Sequence, residues 1–241
     1  MARPRVLLVG FLVLLICGAA ALALMPRERA AHPAPRAAAE KPALMILTTL
    51  PLVFPEEFTL QGAGSKALTA LETRYRVVPL GTTDASSLKQ GQLLLLAHPI
   101  AQTAEALVDL DRWVRDGGRV LLLADPRLDW PSDRPLGDKL RPPPSFADTG
   151  LLKHWGLTLE APAESGPQLR TIAGNEIVTV SSGRLAGACD VEEGGFVARC
   201  KLGNGRAVVV ADADFLNVED LDGPTNSNLD VLVAELAALE R

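Results

Sequence analysis

The chain has 241 residues, 48% of them hydrophobic and 22% charged, with a formal net charge of −5. This composition excludes an intrinsically disordered polymer and a collagen-like fibre, and aromatics at 4% supply few base-stacking platforms. Residues 1–42 carry six Lys/Arg against two acids, whereas residues 43–241 carry 18 against 27; so acidic a body does not grip a phosphate backbone, and no nucleic-acid partner is expected.

A basic head ending at Arg5 precedes twenty uncharged residues from Val6 to Met25. An α-helix needs about 20 residues to cross the hydrocarbon core. A cleaved signal peptide has a shorter apolar core of roughly 7–15 residues, although Ala21-Leu22-Ala23 offers a cleavage site. Length therefore favours an uncleaved, single-pass membrane anchor. Arg3 and Arg5 argue for a cytoplasmic N-terminus, while Arg27, Arg29, Arg36 and Lys41 argue the other way. A basic head followed at once by an apolar run has the form of an export signal. The expected location is the inner membrane, with the body in the periplasm or otherwise outside the cytoplasm. Residues 26–42, rich in Ala, Pro and charge, read as a tether.

The body over residues 43–241 alternates short apolar runs with amphipathic ones. Residues 43–49 (ALMILTT), 75–80 (YRVVPL), 92–97 (QLLLLA), 119–124 (RVLLLA) and 206–211 (RAVVVA) read as strands. The runs without a polar face have the pattern of parallel strands covered on both sides. Residues 65–74 form a helix that Ser65 can cap, with Ala67, Leu68 and Leu71 inward. Residues 101–116 form a stronger helix, with Ala104, Leu107, Val108, Leu110 and Val114 as its stripe and Gly117-Gly118 as its stop. Six prolines between Pro126 and Pro144 predict a long surface loop. A short helix is expected near residues 151–155, irregular chain over 160–175, and a closing helix over 228–240. Residues 182–202 read as a β-hairpin turning at Gly194-Gly195. That register sets Glu193 opposite Phe196, Asp190 opposite Arg199, and Cys189 opposite Cys200. Register partners lie about 5.5 Å apart, within disulfide range, so an external body predicts a Cys189–Cys200 bridge. The expected fold class is α/β, a mainly parallel sheet with flanking helices plus a β-hairpin insertion, preceded by one N-terminal transmembrane helix.

The runs LLLLAHP…LVDLDRWVRDGGRVLLLADPRLD (93–129), GNGRAVVVADADFLN (203–217) and NSNLDVLVAELAAL (226–239) carry a resemblance. The sequence resembles the extracytoplasmic domain of GldG-like auxiliary proteins of ABC-type transport systems, across most of residues 43–240. The resemblance implies a fold of the class I glutamine amidotransferase-like or flavodoxin-like kind. It also implies a partner, the permease and ATPase complex of an ABC transporter.

An amidotransferase needs a nucleophile on the turn after the strand that follows the Gly-Gly pair. Here that turn is Leu123-Ala124-Asp125-Pro126, with neither thiol nor hydroxyl, so no catalytic residue is assigned. His98, Asp125, Asp212 and Asp214 are expected at the carboxyl ends of strands, where open α/β sheets gather ligands, and form the candidate ligand-binding set. The series Asp212, Asp214, Asp220 and Asp222 invites a Ca²⁺ reading but lacks the Gly and closing Glu of an EF-hand. Gly62-Ala63-Gly64-Ser65-Lys66 lacks the spacing of a phosphate-binding P-loop. No metal and no cofactor are expected. The favoured function is a non-catalytic, membrane-tethered accessory domain of an ABC-type transport system. The alternatives are a hydrolase or metal-dependent enzyme using the His98/Asp125/Asp212/Asp214 edge, and a structural envelope protein.

Overall fold

The computed structural model describes residues 33–54 and 64–241. The expected membrane anchor and the first residues of the Gly-rich stretch, Gly62 and Ala63, lie outside them. No helix among the described residues is long and apolar enough to cross a membrane.

Seven strands build the central sheet: β1 (Ala43–Thr48), β2 (Arg76–Pro79), β3 (Leu93–Ala97), β4 (Arg119–Leu123), β9 (Asp190–Val191), β10 (Val197–Leu202) and β11 (Gly205–Val210), in the order β2-β1-β3-β4-β11-β10-β9. The first five in that order run parallel, and β10 turns back antiparallel to both β11 and β9. β3 is buried along its whole length, as expected for a strand covered on both faces. The cover consists of α1 (Lys66–Glu72), α2 (Ala85–Leu88), α3 (Ala104–Arg115) and α5 (Asn228–Leu239). α1 packs beside α5, which lies against β4, while α2 packs beside α3, which lies against β11.

The helix ends follow their sequence signals. Ser65 Oγ accepts the amide of Leu68, Asp84 caps α2, and Thr103 Oγ1 accepts the amide of Ala106. α3 stops in a Schellman motif, with Gly118 N–H on Trp113 C=O and Gly117 N–H on Val114 C=O. Gly117 takes φ +118° there, which a side chain would resist.

Between β4 and β11 the chain makes a long excursion. It contains the proline-rich loop, the short α4 (Leu151–His154), and two small antiparallel pairs. β5 (Leu157–Glu160) pairs with β8 (Arg184–Gly187), and β6 (Pro167–Ile172) pairs with β7 (Asn175–Val180). Two expectations are corrected here. Residues 160–175 are not irregular throughout, because β6 alternates exposed and half-buried side chains on a sheet of only two strands. The 182–202 segment is not one hairpin, because its first half pairs with β5. Its second half keeps the expected register, Asp190 opposite Arg199. The turn is longer than two residues, a 3₁₀ turn at Glu193–Gly195 closed by Glu192 N–H on Val197 C=O.

Residues 33–42, inside the expected tether, lie against the body. Arg36 N–H donates to Thr73 C=O, its guanidinium grips Glu240 with two bonds of 3.0 and 2.6 Å, and it stacks 5.9 Å from the centre of the Tyr75 ring.

Candidate functional site

The parallel strands β4 and β11 end side by side, and the residues that follow them carry three aspartates. Asp125 comes two residues after β4, and Asp212 and Asp214 follow β11. All three are buried, at 0%, 0% and 2% exposure. One carboxylate oxygen from each lies within 4.8 Å of the others. The expected gathering of Asp125, Asp212 and Asp214 is therefore observed.

Each carboxylate fastens a different stretch of chain. Asp125 Oδ1 accepts the Arg127 amide at 2.8 Å and Oδ2 accepts the Ala213 amide at 2.9 Å, so it ties the end of β4 to the end of β11. Asp212 Oδ1 accepts the Thr179 hydroxyl at 2.5 Å and the Phe215 amide at 3.1 Å, tying in β7. Asp214 Oδ2 accepts the Asp129 amide at 2.9 Å from the proline-rich loop, and Asp129 in turn accepts the Ser181 hydroxyl at 2.6 Å. Asp212 Oδ2 is buried without a hydrogen-bond partner among the described residues.

Packing three carboxylates together out of water disfavours their charged forms. Burial pushes Asp125 up to about 6, against backbone amides that pull it down. Burial, then the charge of Asp125, pushes Asp214 up to about 8 and Asp212 well above the usual carboxylate range. The group can therefore hold protons at neutral pH. Three oxygens at this spacing also match the hard-ligand set of a divalent cation, with Asp212 Oδ2 the atom left over for it.

His98 does not join them. It follows β3 at the same edge, with φ +46°, and its ring is fully buried. Nε2 donates to the Pro143 carbonyl at 2.8 Å, so the ring props the proline-rich loop. Burial holds the imidazole below its ordinary value. Asp220 and Asp222 lie outside the carboxylate group too, so the extended Ca²⁺ series is not assembled. Thr179, Ser181 and Asp129 complete the cluster and were not singled out from the sequence. The signal for the first two was a run of small polar residues, Thr179, Ser181 and Ser182, at the end of a strand pattern that buries them.

The turn after β4 carries neither thiol nor hydroxyl. Ala124 and Asp125 are both buried, and both oxygens of Asp125 are taken by backbone amides. The two described cysteines are joined, Cys189 to Cys200, with Cα atoms 4.9 Å apart. Arg199, between them and α5, does not use Asp190 as its ion-pair partner. It turns to Glu192 at 3.0 Å and to the buried Glu235 at 2.7 Å.

No protein-family profile and no curated protein matches the chain. Among solved structures it is similar to a cytoplasmic protein from Salmonella typhimurium, at 10% identity and TM-score 0.48, over 82% of this chain and 98% of that one. A ThuA-like protein from Bacteroides uniformis shares 14% identity at TM-score 0.41, over 85% and 94%. An exo-beta-1,4-mannosidase from an Opitutaceae bacterium shares 14% identity at TM-score 0.46, over 84% of this chain but 36% of that one, so the chain spans about a third of its length.

Proposed function

We propose that this protein is a non-catalytic, membrane-tethered extracytoplasmic domain that serves an ABC-type transport system. The observation that carries the reading is the turn after β4. Where an amidotransferase-like fold would expose a nucleophile, this chain buries Ala124 and Asp125 and uses the carboxylate as a clamp between strand ends. The strand order supports the finer fold. β2-β1-β3-β4-β11 is the parallel order 2-1-3-4-5 of flavodoxin-like sheets, followed here by an antiparallel margin. The Cys189–Cys200 bridge supports an oxidising compartment. The uncharged run from Val6 to Met25 supports the anchor.

The test is purification of the full chain from membranes under mild cross-linking. An ABC permease and its ATPase should come with it, and a preparation lacking both would remove the transport assignment. A second reading, a metal-dependent hydrolase, is favoured by one atom, the unpartnered Asp212 Oδ2. It requires hydrolysis of amide, ester or phosphate substrates above blank, lost in the Asp125→Asn/Asp212→Asn double variant.

A further inference from the structure

Three cations share one row of the central sheet. Lys201 on β10 is the register partner of Arg206 on β11, and Arg206 is the register partner of Arg119 on β4. Side chains at matched register on neighbouring strands point to the same face, and like charges placed so oppose one another. Arg199 lies two residues before Lys201 on that face and is compensated by Glu192 and Glu235. Among the described residues, no ion pair compensates Arg119, Lys201 or Arg206. Lys201 and Arg206 are exposed, and Arg119 is half-buried. Lys201 and Arg206 border a groove of about 560 Å³ floored by Val208, Ala238 and Leu239, with Asp190 its only acid among the described residues.

The row lies at the edge where the parallel strands begin, opposite the aspartate cluster at the edge where they end. The N-terminal segment comes in at this same edge. Arg36 is bonded to Thr73, just past α1, and to Glu240, just past α5, and Ala238 of α5 lines both the cationic groove and the groove that holds Pro33. Between Met25 and Pro33 there are seven residues, which span at most about 25 Å. A local excess of cations on an otherwise acidic body thus sits within short reach of the expected membrane anchor.

We infer that this edge, through Arg119, Lys201 and Arg206, rests on the anionic phospholipid headgroups of the bilayer that holds Val6 to Met25. The inference rests on the tethered reading above. It orients the body, with the cationic row against the lipid phosphates and the aspartate edge facing away, toward a partner. Each cation near an anionic surface strengthens attachment about fivefold, and three together about a hundredfold. Salt should weaken the effect.

The experiment uses the full chain reconstituted in vesicles of phosphatidylcholine alone, or with about 30% phosphatidylglycerol to supply the anionic surface. Acylation of Lys201 and of Lys139, an exposed lysine of the proline-rich loop, is followed by mass spectrometry. Lys201 should react about fivefold or more slowly on the anionic vesicles than on the neutral ones. The difference should vanish at about 0.5 M salt and in the Arg119→Gln/Arg206→Gln variant, while Lys139 reacts equally on both. A chain that floats with both vesicles but shows equal Lys201 reactivity overturns the inference alone, and leaves the row to a protein partner. A chain that floats with neither overturns the tethered reading and this inference with it.

Discussion

Raising the pH should unfold this domain earlier than its sequence would suggest, and Asp214 makes the effect large. Its carboxyl sits at about 8 in the folded chain against an ordinary 3.8. The folded state therefore keeps a proton that the unfolded state gives up above pH 4. A group raised in this way contributes stability that is fully present below about pH 4 and is lost as pH climbs to about 8. At 1.36 kcal/mol per decade, that span is worth about 6 kcal/mol, comparable with the 5–15 kcal/mol that holds a typical domain together. Asp125, raised to about 6, adds a smaller loss in the same direction between pH 4 and 6. Equilibrium unfolding in urea at pH 5, 7 and 8.5 reads the effect as a falling midpoint at constant slope. The Asp214→Asn variant keeps an acceptor oxygen for the Asp129 amide but cannot ionise. Its midpoint should fall less across the same range, with Asp125 and Asp212 still able to ionise, and exceed that of the parent at pH 8.5. A parent midpoint that holds level or rises from pH 5 to 8.5 would refute the reasoning, as would a variant that tracks the parent.

Alkaline phosphatase fused after residue 60 should be active and a fluorescent protein there dark; the reverse pattern would place the body in the cytoplasm. Non-reducing mass spectrometry of the exported chain should find Cys189 linked to Cys200, and reducing this bridge, with its loop of about eleven residues, should cost about 2–3 kcal/mol. Free thiols that alkylate without reductant would contradict both the bridge and the compartment. Arg199→Ala strands the carboxylate of Glu235, which is 4% exposed, and should lower stability by about 3 kcal/mol, most of it recovered by Arg199→Met with Glu235→Leu. Gly205→Ala drives a methyl group into the carbonyl oxygens of Val114 and Gly118 and should cost about 2–3 kcal/mol in the same urea assay.

Much of the sheet was legible because its strands carry unbroken apolar runs. Leu93–Ala97, Arg119–Leu123 and Gly205–Val210 could hardly be placed anywhere but in the interior, and the Gly-Gly pair and the capping Ser65 mark helix ends, whereas the helix expected from residue 101 starts only at Ala104, behind its Thr103 cap. The excursion between β4 and β11 was less legible. β6 alternates exposed and half-buried residues and begins at Pro167, so nothing in its composition separates it from a polar loop. The Cys189–Cys200 alignment came from correct register arithmetic, yet β8 left the hairpin because Leu185 found a partner in Leu159, a preference that only the tertiary arrangement decides. At the site, strand-end position foretold three aspartates together. It also foretold His98, whose place depended on where Pro143 would lie, and a proline-rich loop offers no periodicity from which to read that.

The Asp125–Ala213 bond joins residues 88 apart in sequence, and its consequence is temporal. β1 to β4 need only short connections, and all but β2 are nearly or wholly buried apolar runs, whereas β11 can take its place beside β4 only after the excursion has been closed into a loop. Closing a loop of that length carries an entropic cost of about 4 kcal/mol beyond a constant, and contacts of such separation slow folding. A nascent chain would hold β1 to β4 together first, with the edge of β4 that later receives β11 still open. The carboxylate clamp would then be the last piece set, because its Arg127 amide is local but its Ala213 amide arrives only when β11 does. Until that moment the apolar edge of β4, Val120 to Leu123, is a place where another chain can add a strand.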